Sequence, residues 1–263
     1  MAKTIAMSSS GKIVMVPSKN NAVAHVETVE PGPTEFILFD NNSPNGDADG
    51  LYFSLDTASQ PIDVKVFWGD GNSDEKLNDS DQSYNHIYTS APLDRAVSLR
   101  VDDFTLVQQV LINSPWGLNY VTHVYTGELT PTRFPNLTLF NVEGNPGLGA
   151  VDITPMTGLE TCNVDTCGLS VLSLTGLTVL SDLSARSNSL TTLDVIGTNL
   201  QTLNAQFNSL PSGEVDQILM DLDTIGRTFG NVNLSGGSNA ARTSASDAAV
   251  ISLTGKSWTV TTT

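Results

Sequence analysis

The sequence predicts a mainly β protein with minor α structure, built from an N-terminal arm, a small β-sandwich and a short solenoid with an α/β C-terminal cap. Three observations support this prediction. Only 15% of the 263 residues are charged, against roughly 25% in an average soluble domain. Thr, Ser and Asn number 29, 27 and 21, and these types disfavour helix interiors. Apolar residues recur every 20 to 22 positions in the second half of the chain, which is the period of a repeat protein.

Residues 1–35 are expected to form a separate anchoring arm. Two short apolar runs, at 13–16 and 23–26, precede the chain-breaking Pro31, Gly32 and Pro33. A segment of this size cannot bury a core of its own, so it packs against the rest of the chain or docks onto a partner. The residues after Met1 lack the apolar core of a signal peptide, and synthesis without an export signal is therefore expected.

Residues 36–112 are expected to form a small antiparallel sandwich, because strand candidates alternate with turn clusters. The candidates cover residues 35–39, 51–55, 62–67, 97–101 and 106–112. Residues 64–71 read VKVFWGDG and residues 86–88 read HIY. A strand that ends in WGDG, with a later HxY, resembles the PKD domain, an Ig-like β-sandwich. That resemblance implies a spacer or adhesion module rather than a catalytic one.

Residues 113–136 are expected to be a linker and N-terminal cap for the repeats at 137–211. Each repeat opens with two apolar residues three apart, and an Asn or Cys follows eight residues after the first. The openings are Leu137 and Phe140, Leu159 and Cys162, Leu180 and Leu183, and Leu200 and Leu203; the later residues are Asn145, Cys167, Asn188 and Asn208. One coil of about 20 residues cannot bury its apolar side alone, so successive coils are expected to stack.

This spacing is the LxxLxLxx(N/C)xL pattern, and the chain here resembles leucine-rich repeats. Residues 190–210 resemble the short repeats of surface proteins from Bacteroidetes-type bacteria and of proteins from their phages. The Asn amide is expected to satisfy buried backbone groups of neighbouring coils. Cys167 then stands at that position as a small apolar substitute.

Residues 212–263 are predicted to cap the repeats with two helices and short strands. Ser212 is a candidate N-cap for a helix, with an apolar stripe at Val215, Ile218, Leu219, Leu222 and Ile225. This helix is expected to cover the open edge of the last coil. Ser244 and Asp247 resemble a capping box at the start of a second helix.

The outward face of the repeat sheet is the predicted binding surface. Between the inward apolar residues, polar side chains are expected to line up about 4.8 Å apart from coil to coil. They are Asn141, Glu143, Thr161, Asn163, Asp165, Asp182, Ser184, Arg186, Thr202, Asn204 and Gln206. Such faces bind proteins or glycans, and the alternative is a merely solvated face. Phe207 is the one aromatic candidate for stacking on a sugar.

Calcium is the one candidate cofactor. Asn45, Asp47 and Asp49 stand at positions 1, 3 and 5 of an EF-hand-like spacing, with Gly50 at position 6 and Asp56 at position 12. The competing interpretation is a polar turn before a strand. Cys162 and Cys167 are expected to be buried thiols rather than zinc ligands.

No catalytic residues are predicted. The sequence has no GxSxG, P-loop or HExxH motif, and its three histidines lie in different regions or at the HxY of the sandwich. The formal net charge of −16 leaves no basic surface for nucleic acid. No apolar run approaches the roughly 20 residues that cross a bilayer. A virion enzyme that cleaves glycans is a further alternative, which the lack of evident paired carboxylates disfavours.

These modules predict a non-enzymatic virion protein of a phage: a fibre, spike or capsid-decoration component made in the host cytoplasm and displayed on the virion surface. The arm is expected to bind other virion proteins, and the repeats are expected to face a host-surface glycan or protein. Fibres and spikes are commonly homo-oligomers, although the sequence shows no heptad repeat. The alternative is a bacterial cell-surface or secreted leucine-rich-repeat adhesion protein.

Overall fold

The protein is mainly β, as the sequence predicts. The computed structural model describes residues 34–41, 51–68, 71–86, 95–112, 121–124 and 129–263. Within these ranges there are fourteen strands and two α-helices. Of the anchoring arm expected at 1–35, residues 1–33 lie outside the described residues, and residues 34–35 begin the first strand. No helix in the described part of the chain has the length and apolarity that a membrane span requires.

The first half of the described chain supplies eight strands, β1 to β8. They are Thr34–Asn41, Leu51–Asp56, Ile62–Phe67, Ser73–Asp79, Gln82–His86, Arg95–Val101, Gln109–Ile112 and Val121–Val124. Five of them form an antiparallel sheet in the order β4-β3-β6-β1-β8. The strand β8 lies in the segment expected as a linker, and it pairs with β1.

The remaining strands, β5-β2-β7, begin a second sheet that continues into the repeats. Strands β9 to β14 are Leu139–Asn141, Thr161–Asn163, Asp182–Ser184, Thr202–Asn204, Asn231–Asn233 and Thr259–Thr261. Strand β7 pairs antiparallel with β2 on one side and parallel with β9 on the other. A single nine-stranded sheet therefore runs from β5 to β14.

The two sheets of the first half enclose an aromatic and aliphatic core. Strand β3 alternates buried and half-buried residues, which is the period-2 pattern that the sequence shows. Trp68 and Phe53 are fully buried, with their ring centroids 5.8 Å apart. Phe53 also stacks on Tyr84 at 5.1 Å. The Tyr84 hydroxyl donates to the side-chain oxygen of Gln82 and lies 3.4 Å from the Val64 carbonyl oxygen. Side chains of β2 and β5 thus reach across to β3.

Each coil of the second half contributes one three-residue strand whose central side chain is buried. These central residues are Phe140, Cys162, Leu183, Leu203 and Val232, with Val260 half-buried in the last coil. The parallel register brings each one beside the next. Val110 of β7 aligns with Phe140, so the apolar row extends from the repeats into the sandwich core.

The C-terminal segment extends the sheet instead of closing it with a helix. Strand β13 pairs with β12, and β14 pairs with β13. The helices are α1, Ser212–Ile225, and α2, Asp247–Gly255. In α1 the buried apolar stripe is Val215, Ile218, Leu219 and Leu222, with Ile225 half-buried. The edge of β12 is therefore covered by a strand, and α1 lies in the connection between β12 and β13.

The predicted helix caps are wrong in detail. Ser212 is the first residue of α1, and the N-cap position belongs to Pro211, which has no capping side chain. Before α2, the hydroxyl of Thr243 accepts the Ala245 amide at 3.1 Å, where we expected Ser244 to cap. The carboxylate of Asp216 accepts hydrogen bonds from the Thr243 amide and hydroxyl and from the Ser246 hydroxyl. One buried acid on α1 thus holds the start of the second helix.

Candidate binding face

All eleven residues of the predicted surface lie on the outward side of the nine-stranded sheet. We number the coils 1 to 6 by their strands β9 to β14. The first outward row contains Leu139, Thr161, Asp182, Thr202, Asn231 and Thr259; the second contains Asn141, Asn163, Ser184, Asn204, Asn233 and Thr261. A third row, two residues beyond the second, contains Glu143, Asp165, Arg186, Gln206 and Ser235. Together these rows form the outward face.

The second row is partly structural. In coils 1, 2 and 4 the Asn side-chain oxygen accepts the backbone amide two residues later, at 2.9 Å for Asn141, 3.0 Å for Asn163 and 3.3 Å for Asn204. Asn233 does the same for Ser235 at 3.1 Å. These Asx turns end each strand locally. The side chains of Asn204 and Asn233 are half-buried, and their Nδ2 groups make no hydrogen bond within the described residues.

In coil 3, the backbone amide after the strand is bonded by a side chain of the neighbouring coil 2. Ser184 replaces the Asn, and Asp165 of coil 2 accepts both the Ser184 hydroxyl at 2.7 Å and the Arg186 amide at 2.6 Å. A second link between coils joins Asn163 Nδ2 to the Glu143 carboxylate at 3.0 Å. Two of the acids predicted for binding are therefore engaged in holding coils 1 to 3 together.

Charge divides the outward face into two halves. Coils 1 to 3 carry the acids Glu143, Asp165 and Asp182. The outward residues of coils 4 to 6 are uncharged: Thr202, Asn204, Gln206, Asn231, Asn233, Ser235, Thr259 and Thr261. Arg186 stands at the boundary, with its guanidinium carbon 5.2 Å from the ring centroid of Phe207. It is the one cation in the three rows.

Behind the outward face, a ladder of buried amides stabilises the turns that follow β11 and β12. Asn188 Nδ2 donates to the carbonyl oxygens of Val164 and Ala185, while its Oδ1 accepts the amides of Cys167 and Leu169. Asn208 repeats this arrangement. The predicted backbone role of these asparagines is therefore seen in the structure.

Sequence reasoning missed the next member of this ladder, Asn239. Its Nδ2 donates to Ala205 and Leu234, both at 2.9 Å, and its Oδ1 accepts the Leu210 amide at 3.0 Å. Gly236 and Gly237 place it two residues later than the repeat spacing predicts. The alternation of Val232 and Leu234 was the available signal, because it marks coil 5.

The two cysteines are buried and unpaired with each other. The Cys167 thiol contacts the Val142 carbonyl oxygen at 3.1 Å, in the place where other coils use an amide. Burial raises the pKa of Cys167 to about 12 and also raises the pKa of Cys162. Both groups are therefore neutral thiols at physiological pH.

The calcium candidate is described at one of its four residues. Asp56 ends β2 and is exposed, and its Oδ1 accepts the Ala58 amide at 2.7 Å. Asn45, Asp47 and Asp49 lie outside the described residues. Among the residues that the structure does describe, no cluster of three His, Cys, Asp or Glu side chains is arranged to hold a metal ion.

A concave feature lies between α1 and the loops of coils 2 and 3. Its volume is about 370 Å³, and its lining includes Asp194, Glu214, Asp221, Val171 and Ile196. Burial and the nearby Asp194 raise the pKa of Asp221, while a hydrogen bond from Gln217 opposes that rise. Glu214 accepts the Leu193 amide at 2.6 Å, so this acid is used to dock the helix on coil 3.

Comparisons with protein-family models, curated proteins and solved structures found no match for this chain. Inference about function therefore depends on the outward face and on how the sheet presents it.

Proposed function

We propose that this chain is a non-enzymatic display protein whose outward face recognises a ligand. The observation that supports this most directly is the continuity of the sheet. Because β7 pairs with both β2 and β9, the sandwich and the coils share one sheet, and the sandwich can serve as the base of the coils. A large polar face carried on such a base suits recognition of an extended surface.

In this proposal the first half is an Ig-like sandwich of the PKD type and the second half is a leucine-rich-repeat solenoid. The motif residues of the first half serve its core, since His86 stacks on Trp68 at 4.6 Å and Trp68 Nε1 donates to Asp74 at 2.7 Å. The buried asparagine ladder and the 20-to-22-residue spacing support the solenoid. Neither arrangement gathers a nucleophile and a base in the described residues.

We further propose that the chain is a structural protein of a phage virion, with the arm attached to other virion proteins and the coils directed outward. Low charge density, a net charge of −16 and abundant Thr, Ser and Asn suit a protein that remains soluble outside the cell. Homo-oligomerisation through the arm would multiply the outward face on a particle.

Peptide mass spectrometry on density-banded particles and on washed cell envelopes from the source culture tests this proposal. Stoichiometric copy number in the particle band is the expected result. Recovery from the envelope alone, with peptides that precede Met1, would contradict it and would favour a bacterial surface adhesion protein with the same modules. A sugar-release assay on host polysaccharide checks the non-enzymatic part, and no release is expected.

A further inference from the structure

We infer that Arg186, whose guanidinium lies over the ring of Phe207, anchors the carboxylate of an acidic saccharide on coils 3 to 6. This inference rests on the proposed role of the outward face in recognition, and it adds the chemical class of the ligand. Three observations support it: the constrained position of Phe207, the unpaired guanidinium of Arg186 and the division of charge across the face.

Phe207 occupies a backbone position that disfavours it. Its φ is +55°, in the left-handed region, which is costly for a bulky residue. Equivalent positions in other coils hold Gly144, Thr166, Ser187 and Gly236, all with positive φ. The Phe207 side chain is nevertheless 44% exposed, so core packing does not explain an aromatic residue at this position.

The surroundings of Phe207 fix the orientation of its ring. A Cβ added to Gly236 would lie 2.8 Å from Phe207 Cε1, and one added to Gly237 would lie 2.6 Å from the Phe207 Cα. Phe207 therefore packs against Gly236 and Gly237, where a larger residue would clash with it. Arg186 of the preceding coil lies near the ring, at 5.2 Å from its centroid.

The guanidinium of Arg186 has no hydrogen-bond or ion-pair partner among the described residues. Arg242, by contrast, pairs with Asp247 at 2.5 Å, and Arg227 donates to Gln201 at 3.3 Å. A guanidinium that lies over an aromatic ring keeps its N–H groups available for bidentate contact with a carboxylate. Arg186 is thus oriented for an anion that the described chain does not supply.

The rest of the outward face indicates a saccharide. On the side of Arg186 toward coil 6, the outward residues are amides and hydroxyls, and the Nδ2 groups of Asn204 and Asn233 make no hydrogen bond within the described residues. Sugar hydroxyls can form hydrogen bonds with such amide and hydroxyl groups. Asp165 in coil 2 and Asp182 in the first row of coil 3 repel a second anionic ligand segment. An acidic peptide would need apolar anchors, and the three rows hold no apolar residue in coils 3 to 6; Phe207 lies beside the third row.

The test uses the full chain on a glycan array that pairs glucuronate-, galacturonate- and sialate-terminated saccharides with their neutral counterparts. Binding to at least one acidic member over its neutral counterpart is expected. The affinity for that saccharide is then measured by titration for the parent chain, Arg186→Gln and Arg100→Gln. Arg100 is a matched control because it is exposed on β6 and also lies over an aromatic ring, Phe67, at 5.7 Å.

Arg186→Gln is expected to weaken binding about tenfold or more, because a charge-assisted bidentate contact is lost, and Arg100→Gln is expected to leave the affinity unchanged. Equal affinity of the Arg186→Gln variant and the parent would overturn the inference, as would binding to neutral saccharides alone or to none. Thermal unfolding checks that each variant is folded. A chain that is found in the particle band but binds no saccharide refutes this inference alone, whereas its absence from that band refutes the virion proposal.

Discussion

The sandwich and the coils bury apolar surface in different ways, although one sheet runs through both. The sandwich pairs strands that are far apart in sequence, such as β1 with β6 and β3 with β6, around the large side chains of Trp68 and Phe53. The coils pair only with their neighbours and use small repeated units, a leucine row and a ladder of buried amides. The stability of the sandwich therefore depends on a few large buried side chains. The stability of the coils depends on small side chains that recur in the leucine row and in the amide ladder.

The largest expected effect comes from removing the centre of the sandwich. Trp68→Ala should destabilise the sandwich by about 3–5 kcal/mol, because a fully buried aromatic is replaced by a cavity. Since coils contact only neighbouring coils, β11 to β13 should keep their hydrogen-exchange protection. Equal loss of protection in the sandwich and in those strands would show that the two regions do not differ as described.

The next effect tests the amide ladder. Asn188→Ala should lower the free energy of unfolding by about 3–4 kcal/mol in chemical denaturation. It leaves the Val164 and Ala185 carbonyls and the Cys167 and Leu169 amides without a partner, at roughly 1 kcal/mol each. Asn163→Ala is the matched control: its side chain lies on the outward face, and its loss should cost below about 1 kcal/mol. Equal costs for the two variants would contradict the structural role of the ladder.

A smaller effect, with a pH dependence, is expected at Asp216. Burial alone would raise the pKa of this carboxyl, but hydrogen bonds from Ser246 and Thr243 outweigh burial and lower it below the ordinary value of 3.8. A lowered folded pKa means that ionised Asp216 contributes stability above pH 3.8, and this contribution is lost as pH falls through the folded value.

Asp216→Ala should therefore cost about 1–3 kcal/mol at pH 7, and the difference from the parent chain should shrink in denaturation experiments near pH 3. A cost that stays constant from pH 7 to pH 3 would show that the charge of Asp216 plays no part in holding α2.

The smallest effect concerns the thiols. Because the pKa of Cys167 is raised to about 12 and that of Cys162 is also raised, neither thiol should react with iodoacetamide in the folded chain at pH 8. Mass spectrometry should show modification only after unfolding in denaturant. Rapid labelling of the folded chain would contradict the buried position of these two residues.

The sequence predicted the coils better than the sandwich, for a physical reason. Leucine spacing repeats in coils 1 to 4, so one pattern identifies four strands. Strand β4, Ser73–Asp79, has no such signal because it is an edge strand with mostly exposed residues. Strand β8 pairs with β1 across more than 70 residues of chain, and a pairing over that separation cannot be predicted from the local sequence.

The composition of the outward face was likewise predictable, whereas its internal bonding was not. Alternation around each buried central residue placed Asn141, Asn163 and Asn204 outward. The Asx turns that these residues form depend on side-chain geometry, which the sequence does not give. The contact of Arg186 with Phe207 depends on the register of two adjacent coils. The extension of the face to β13 and β14 was missed because α1 interrupts the repeat spacing.

The continuity of the sheet through β7 and β9 is the central claim, and a distance measurement tests it most directly. Asp56 and Thr202 are exposed and lie in one register line, five strand spacings apart. Cysteines introduced at both positions can carry spin labels, and the buried native thiols should remain unlabelled. Pulsed electron paramagnetic resonance should then give one narrow distance distribution, with backbone positions about 24 Å apart at ~4.8 Å per strand. A broad distribution would contradict the account, because it would mean that the sandwich and the coils move independently.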